Sequence, residues 1–231
     1  METAIITGAS SGIGLAISKE VLNLGFKVYG FGRDFSKCNL THQNFIPIQS
    51  DLQNINLLTE KIKEINKSEK ILILINNAGV GYFGPHEELN SKKIHEMVTI
   101  NLEVPLILSQ LLLRTLKKNN GYIINISSIE AKKSSVYGCA YGATKAALSH
   151  FSNSLFDEAR KSGLKVITIH PDITQTNFYR NANFSEDYSQ ADSFITPTQV
   201  ADAVSSVLSA NNNLVITDIT LRPQKSKIRR K

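Results

Sequence analysis

Tryptophan is absent from the 231 residues, aromatic residues make up only 7%, and cysteine occurs twice. Cys38 and Cys139 form no CxxC pair and stand at no Cys/His spacing that suits zinc, so neither a disulfide framework nor a structural metal is expected. Both read as free thiols of a reducing compartment. The five histidines are scattered without metal spacing. No apolar run approaches the roughly twenty residues of a membrane span. METAII leads directly into a glycine-rich turn, which leaves no room for a signal peptide. A cytoplasmic protein without a membrane partner is the expectation. Internal repeats, low-complexity stretches and linkers are also missing, which favours one domain.

The charge is less one-sided than it looks. A net charge of +6 includes five Lys or Arg in the closing KSKIRRK. Without that tail, residues 225–231, the body is close to neutral, so the basic balance does not argue for nucleic acid. A solvated, frayed terminus is expected there. With 42% hydrophobic residues the chain can bury an ordinary globular core.

What is present is an alternation. TAIIT, KVYGFG, FIPIQS, ILILIN, GYIINIS, KVITIH and LVITDITL read as strands, and most are continuous apolar runs of the kind buried on both faces. Helical patterns over 13–24, 57–66, 91–116, 137–161 and 198–210 lie between them. The order predicts an α/β doubly wound fold, a seven-stranded parallel sheet with helices on both faces. Residues 174–194 break the pattern. They are polar, free of glycine and proline, and dotted with Phe178, Tyr179, Phe184, Tyr188 and Phe194. Spaced aromatics in a long connection point to a lid that closes on something apolar.

The first strand runs straight into TGASSGIG. Gly8, Gly12 and Gly14 permit a sharp turn, close approach of a phosphate, and tight packing of the following helix on the strand. Ser10, Ser11 and Ile13 complete the loop, whose helix N-terminus favours a pyrophosphate. A dinucleotide is therefore expected. At the end of the second strand stands GFGRD, with Gly32 where an NAD site would carry an acid, and Arg33 after it. A guanidinium beside the ribose suits the extra phosphate of NADP, so NADP is favoured over NAD, although Asp34 follows.

In YGATKAA, Tyr141 and Lys145 are one helical turn apart and share a face. A free phenol titrates near 10, and an ammonium one turn away would lower that value. With the glycine loop, the strand order and this pair together, the chain resembles the short-chain dehydrogenase/reductase family. The resemblance extends from about Thr3 to Thr176 and implies a single-domain Rossmann-like fold, a bound nicotinamide dinucleotide and a small-molecule substrate. It assigns Asp51 and Leu52 to the adenine, and Asn77, Ala78 and Gly79 of NNAG to the cofactor's flank. Pro171, Ile173, Thr174 and Thr176 follow the sixth strand as nicotinamide contacts, with Asp172 where the family usually has glycine. Asn101, Ser128, Tyr141 and Lys145 correspond to the catalytic tetrad.

By this resemblance Tyr141 exchanges a proton with the substrate oxygen, and Ser128 holds that oxygen. Lys145 lowers the tyrosine's pKa and binds the nicotinamide ribose, and Asn101 orders a water behind the lysine. Ser127 is the alternative to Ser128. Neighbours on a strand face opposite ways, and a thirteen-residue separation from Tyr141 selects Ser128. Tyr137, with no lysine four places on, is assigned to the pocket wall or to packing. The family also pairs the two long helices across a subunit interface, which implies a homodimer or homotetramer. A sugar-nucleotide epimerase would need more chain after Pro171. A non-catalytic nicotinamide sensor with the same fold is the alternative of a different class.

Overall fold

A computed structural model describes residues 1–182, 184–186, 190–210, 214–225 and 228–230. Strands β1 (Thr3–Thr7), β2 (Lys27–Gly32), β3 (Phe45–Gln49), β4 (Ile71–Asn76), β5 (Tyr122–Ile126), β6 (Lys165–Pro171) and β8 (Asp218–Leu221) form one parallel sheet, in the order β3-β2-β1-β4-β5-β6-β8. The order reverses between β1 and β4, so the carboxyl ends of these strands diverge there and open a crevice. The seven-stranded sheet of the sequence reading is the one observed.

Continuous apolar strands supply two cores at once, because successive side chains point to opposite faces. Ala4, Ile6, Ile73 and Ile75 face α1 (Gly12–Asn23) and α6 (Pro197–Leu208), where Ile17, Val21, Val200 and Val204 meet them. Ile5, Leu74 and Ile123 face α2 (Ile55–Ser68), α4 (Val104–Lys118) and α5 (Cys139–Ala159), packing among Leu58, Ile62, Leu108 and Leu112. Each fully buried Ile or Leu contributes about 1.5–3 kcal/mol of transfer free energy. That burial, rather than capping, holds α1, whose N-cap Ser11 makes no side-chain bond to the helix. The helix N-terminus is thereby left open toward the crevice.

Three expectations need correction. The helix anticipated over 91–116 is interrupted: α3 (Ser91–Val98) passes through a π-turn, Thr99–Glu103, before α4 begins. Pro105 has no N–H to return to the carbonyl of residue 101, and Asn101 spends its side chain on the Val80 backbone, so the ladder shifts by one residue. The whole rod, Ser91–Lys118, is long and apolar enough to cross a membrane by length and composition, which the apolar runs did not suggest; half of its most apolar window is buried in the protein. The last strand of the sheet starts at Asp218 rather than 214, because it pairs only with Thr168–Pro171 of β6.

The third correction concerns the tail. Ile228–Arg230 forms strand β9, antiparallel to β7 (Phe184–Glu186) in the segment expected to be a lid. Lys225 is bound there too, its N–H donating to the Asp192 carbonyl at 2.9 Å and its Nζ pairing with the Asp192 carboxylate at 2.8 Å. Of the expected lid, Asn177–Asn181 forms a 3-10 turn capped by Thr176, while Tyr188 lies outside the described residues.

Candidate active site

The glycine loop is built by backbone requirements. Gly8 and Gly12 take φ of +68° and +54°, a region that side chains resist. A Cβ on Gly14 would collide with the Gly8 carbonyl oxygen and Asn77 Nδ2, so α1 lies flush against the NNAG turn. Thr7 Oγ1 accepts from the N–H groups of Asn77 and Ala78, both at 3.0 Å, and Asn77 Nδ2 donates to the Thr7 carbonyl at 2.9 Å. The carboxyl ends of β1 and β4 are thus sewn together beneath the loop.

Above them opens a cavity of about 890 Å³. Gly8, Ser10, Ser11, Gly12, Ile13, Gly14, Arg33, Asp51, Leu52, Asn77, Ala78, Gly79, Pro171, Thr174 and Thr176 line it, and so do Ser128, Tyr141 and Lys145. Two anticipated residues are not on its wall. Ile173 is buried, and its N–H donates to Asp172 Oδ1 at 2.8 Å. The carboxylate that stands where the family usually has glycine thus binds the Ile173 amide. Asn101 is fully buried behind Gly79, with Oδ1 accepting from Val80 N at 2.8 Å and Nδ2 donating to Val80 O and Thr144 Oγ1.

At the end of β2, Asp34 folds into its own turn, accepting from Ser36 N at 2.8 Å and Ser36 Oγ at 2.9 Å. These bonds lower its pKa. Asp34 still lines the cavity, together with Arg33 and Lys37, and Arg33 lies 4.0 Å from the Glu96 carboxylate on the same wall. Lys37 was not singled out from the sequence; a cation four places after Arg33 was the available signal. Asp51 Oδ1 accepts from Gln53 N at 3.0 Å, which shapes the turn after β3.

The choice between the adjacent serines is visible in their partners. Ser127 Oγ bonds the Lys145 carbonyl and Ser149, turning into α5. Ser128 Oγ accepts from Glu130 N at 3.2 Å and, with Tyr141, lines the cavity. Tyr141 is only 6% exposed. Phe83 and Phe178 cover it, with ring centroids 5.3 and 5.5 Å from its own, and Tyr179 and Phe184 pack on Phe83 in turn.

Here the expected electrostatics are reversed. Burial pushes the Tyr141 phenol far above its ordinary range, Ser128 opposing and nearby Glu130 adding to the rise. Lys145 Nζ donates to the Ile126 carbonyl at 2.9 Å and sits 5.9 Å from the Tyr141 ring centroid. Burial lowers the lysine to about 8. Desolvation under the aromatic cover dominates at Tyr141, and Lys145, turned toward the strand end, is not among the groups that oppose it in this conformation.

Tyr137 lies off the main cavity, 60% exposed and at φ +60°, on a separate groove of about 780 Å³ with Pro85, Glu130 and Cys139.

A family model described as short chain dehydrogenase matches residues 2–187. The chain is 34% identical over 182 residues to a probable short-chain type dehydrogenase/reductase, VdlC, of Helicobacter pylori, covering 78% of this chain and 67% of that protein. It is 33% identical over 188 residues to the 3-oxoacyl-[acyl-carrier-protein] reductase FabG of Buchnera aphidicola, covering 79% and 77%. Among solved structures, an alcohol dehydrogenase from the archaeon Thermococcus sibiricus, complexed with 5-hydroxy-NADP, superimposes with a TM-score of 0.88 at 23% identity over 98% of both chains. With the family model spanning most of the chain and the loop, sheet order and cavity residues in place, this protein belongs to the short-chain dehydrogenase family.

Proposed function

We propose that the chain is an NADP(H)-dependent oxidoreductase that interconverts a carbonyl compound and a secondary alcohol. The observation that carries this reading is that one cavity holds both the glycine loop and the side chains of Ser128, Tyr141 and Lys145. The residues fit a nicotinamide dinucleotide. Glycines leave backbone rather than side chains at the N-terminus of α1, and Gly79 gives Lys145 a side-chain-free approach. When bound, that group would supply or accept the hydride.

The chain's own groups would manage the substrate oxygen. Ser128 Oγ would donate to it, steadying negative charge as it develops. Tyr141 would give its phenolic proton to the same oxygen in reduction, and burial keeps that proton on the phenol beforehand. Oxidation needs the phenolate, which would require Lys145 to turn from Ile126 toward Tyr141. The neutral phenol of this conformation is thus poised for reduction. Arg33 and Lys37 on the cavity wall support NADP over NAD, with the neighbouring Asp34 carboxylate bonded to Ser36. The aromatic rings over Tyr141 favour an apolar substituent on the carbonyl.

The test is a titration with NADPH and NADH, followed by absorbance assays over a panel of carbonyl compounds with Tyr141→Phe as control. Binding of NADPH with Tyr141-dependent oxidation is expected. Tight binding with no turnover would favour the sensor alternative, and no binding would remove the dinucleotide reading altogether. A homodimer or homotetramer is part of the proposal, and light scattering that gives only monomer at micromolar concentration would remove it.

A further inference from the structure

His42, His86, His95 and His150 are exposed, whereas His170 is buried near the end of β6. Both of its ring nitrogens face oxygen. Nδ1 lies 3.1 Å from the Ser128 carbonyl oxygen and Nε2 lies 2.8 Å from Asp218 Oδ2. A carbonyl can only accept, so the bond at Nδ1 requires a hydrogen on that nitrogen. The carboxylate of Asp218 also only accepts when ionised, and its bonds to Lys132 and His170 keep it so, below the usual carboxylate range. A neutral imidazole has one N–H for these two acceptors. Either tautomer would set a lone pair of the buried ring against an oxygen at hydrogen-bond distance. A ring with hydrogens on both nitrogens satisfies both.

Burial, the largest influence, pulls the ring's pKa below its ordinary value and Lys132 adds to this, while the Asp218 carboxylate and the Ser128 carbonyl oppose it. The geometry, with an acceptor at hydrogen-bond distance from each nitrogen, decides for the doubly protonated ring. Lys132, from the loop after the Ile129–Ala131 turn, reaches the ring only across Asp218, whose other oxygen it binds. Its Nζ also donates to Thr220 Oγ1 at 2.8 Å. Arg222 pairs instead with Asp172. The turn that begins at Ser128 is therefore held at its first residue by His170 and just beyond its last by Lys132, and both reach the same carboxylate on β8.

We infer that His170, as an imidazolium paired with Asp218, is a positioning residue that fixes Ser128 against Tyr141. Neither His170 nor Asp218 lines the cavity, so they act through the Ser128 backbone and not on substrate. The kinetic consequence rests on the oxidoreductase reading above, while the charge state of the ring does not.

The experiment has two arms on the full chain. Nitrogen-15 NMR of the histidine rings at neutral pH is expected to show both His170 nitrogens protonated, and one of them losing its proton in Asp218→Asn. A singly protonated ring in the parent chain overturns the inference, whether or not any carbonyl is turned over. In the second arm, His170→Gln, which can donate to only one of the two oxygens, is expected to lower kcat about tenfold with the NADPH Kd unchanged. In a Ser128→Ala background the same change is expected to cost little further. An equal loss in both backgrounds would show a general structural effect and overturn the positioning role. Should His170→Gln fail to fold, Asp218→Asn takes its place in the cycle with the same expectations. Absence of turnover by the parent chain would count against the oxidoreductase reading alone and leave the NMR arm decisive.

Discussion

The glycine loop and the cover over Tyr141 face each other across one cavity, yet they are built on different principles. The loop is held by backbone geometry and short hydrogen bonds: positive φ at Gly8 and Gly12, and Thr7 bonded to both amides of the NNAG turn. The cover is held by ring-on-ring packing of Phe83, Phe178, Tyr179 and Phe184 and by a strand pair of three residues on each side. One side cannot change shape without breaking the sheet end that supports it. The other rests on side-chain packing and on a two-stranded ribbon outside the main sheet. A site that must grip a dinucleotide and admit varied substrates benefits from this division.

The comparison sharpens most at Tyr141, where the two sides meet. Tyr141→Phe keeps every ring contact and removes the proton donor. We expect kcat to fall about 10³-fold, within the usual range for a general acid, with NADPH binding unchanged. Equal loss of binding and turnover would mean the hydroxyl supports the architecture instead. Gly14→Ala attacks the rigid side. Its Cβ has no free space between the Gly8 carbonyl and Asn77. The NADPH Kd is expected to rise about 100-fold by isothermal titration, as α1 is displaced from the NNAG turn.

Lys145 lies under both sides and reports the cost of that position. Burial holds it near 8 against an ordinary value of 10.5. Between those values the unfolded chain binds more protons than the folded one, so stability rises with pH across the window. Urea unfolding of the cofactor-free protein at pH 7.5 and 9.5 should show a gain of about 2 kcal/mol that Lys145→Met abolishes. A flat difference between the two proteins would place the ammonium in water. Smaller still is the effect of Arg33→Ala, on the exposed rim of the rigid side. It should weaken NADPH about tenfold through loss of one charge-assisted contact and leave NADH unaffected.

Legibility followed the same divide. Gly8, Gly12 and Gly14 announce themselves because few other residues tolerate their φ or spacing, and the seven strands show as apolar runs too short for helices. Ser128 is preferred to Ser127 because a strand's alternation lets only one of them serve and the thirteen-residue separation from Tyr141 picks Ser128. The direction of the Tyr141 pKa could not be read, since it depends on how deeply Phe83 and Phe178 bury the phenol, a tertiary fact with no local pattern. The π-turn at Asn101 was written in Pro105, but its second cause, Val80, is twenty-one residues away. His170 was passed over because its partners, Ser128 and Asp218, lie 42 and 48 positions from it.

The C-terminal strand gives the last and mildest test of the divide. Read by composition alone, 225–231 is a basic tail in water; in the fold, Ile228–Arg230 lies along Phe184–Glu186, and Phe184 packs on Phe83 and Tyr179. Ending the chain after Lys225 would remove β9 while keeping the Lys225–Asp192 contacts and every core residue. A two-stranded ribbon this short is marginal without support, so its loss should loosen the aromatic cover but leave the glycine loop as it was. KM for an apolar carbonyl substrate should therefore rise about threefold, as a partly populated closed state predicts, with melting temperature and NADPH Kd unchanged. If NADPH binding weakened by the same factor, the cover would extend its grip to the cofactor, and the two sides of the cavity would be one unit rather than two.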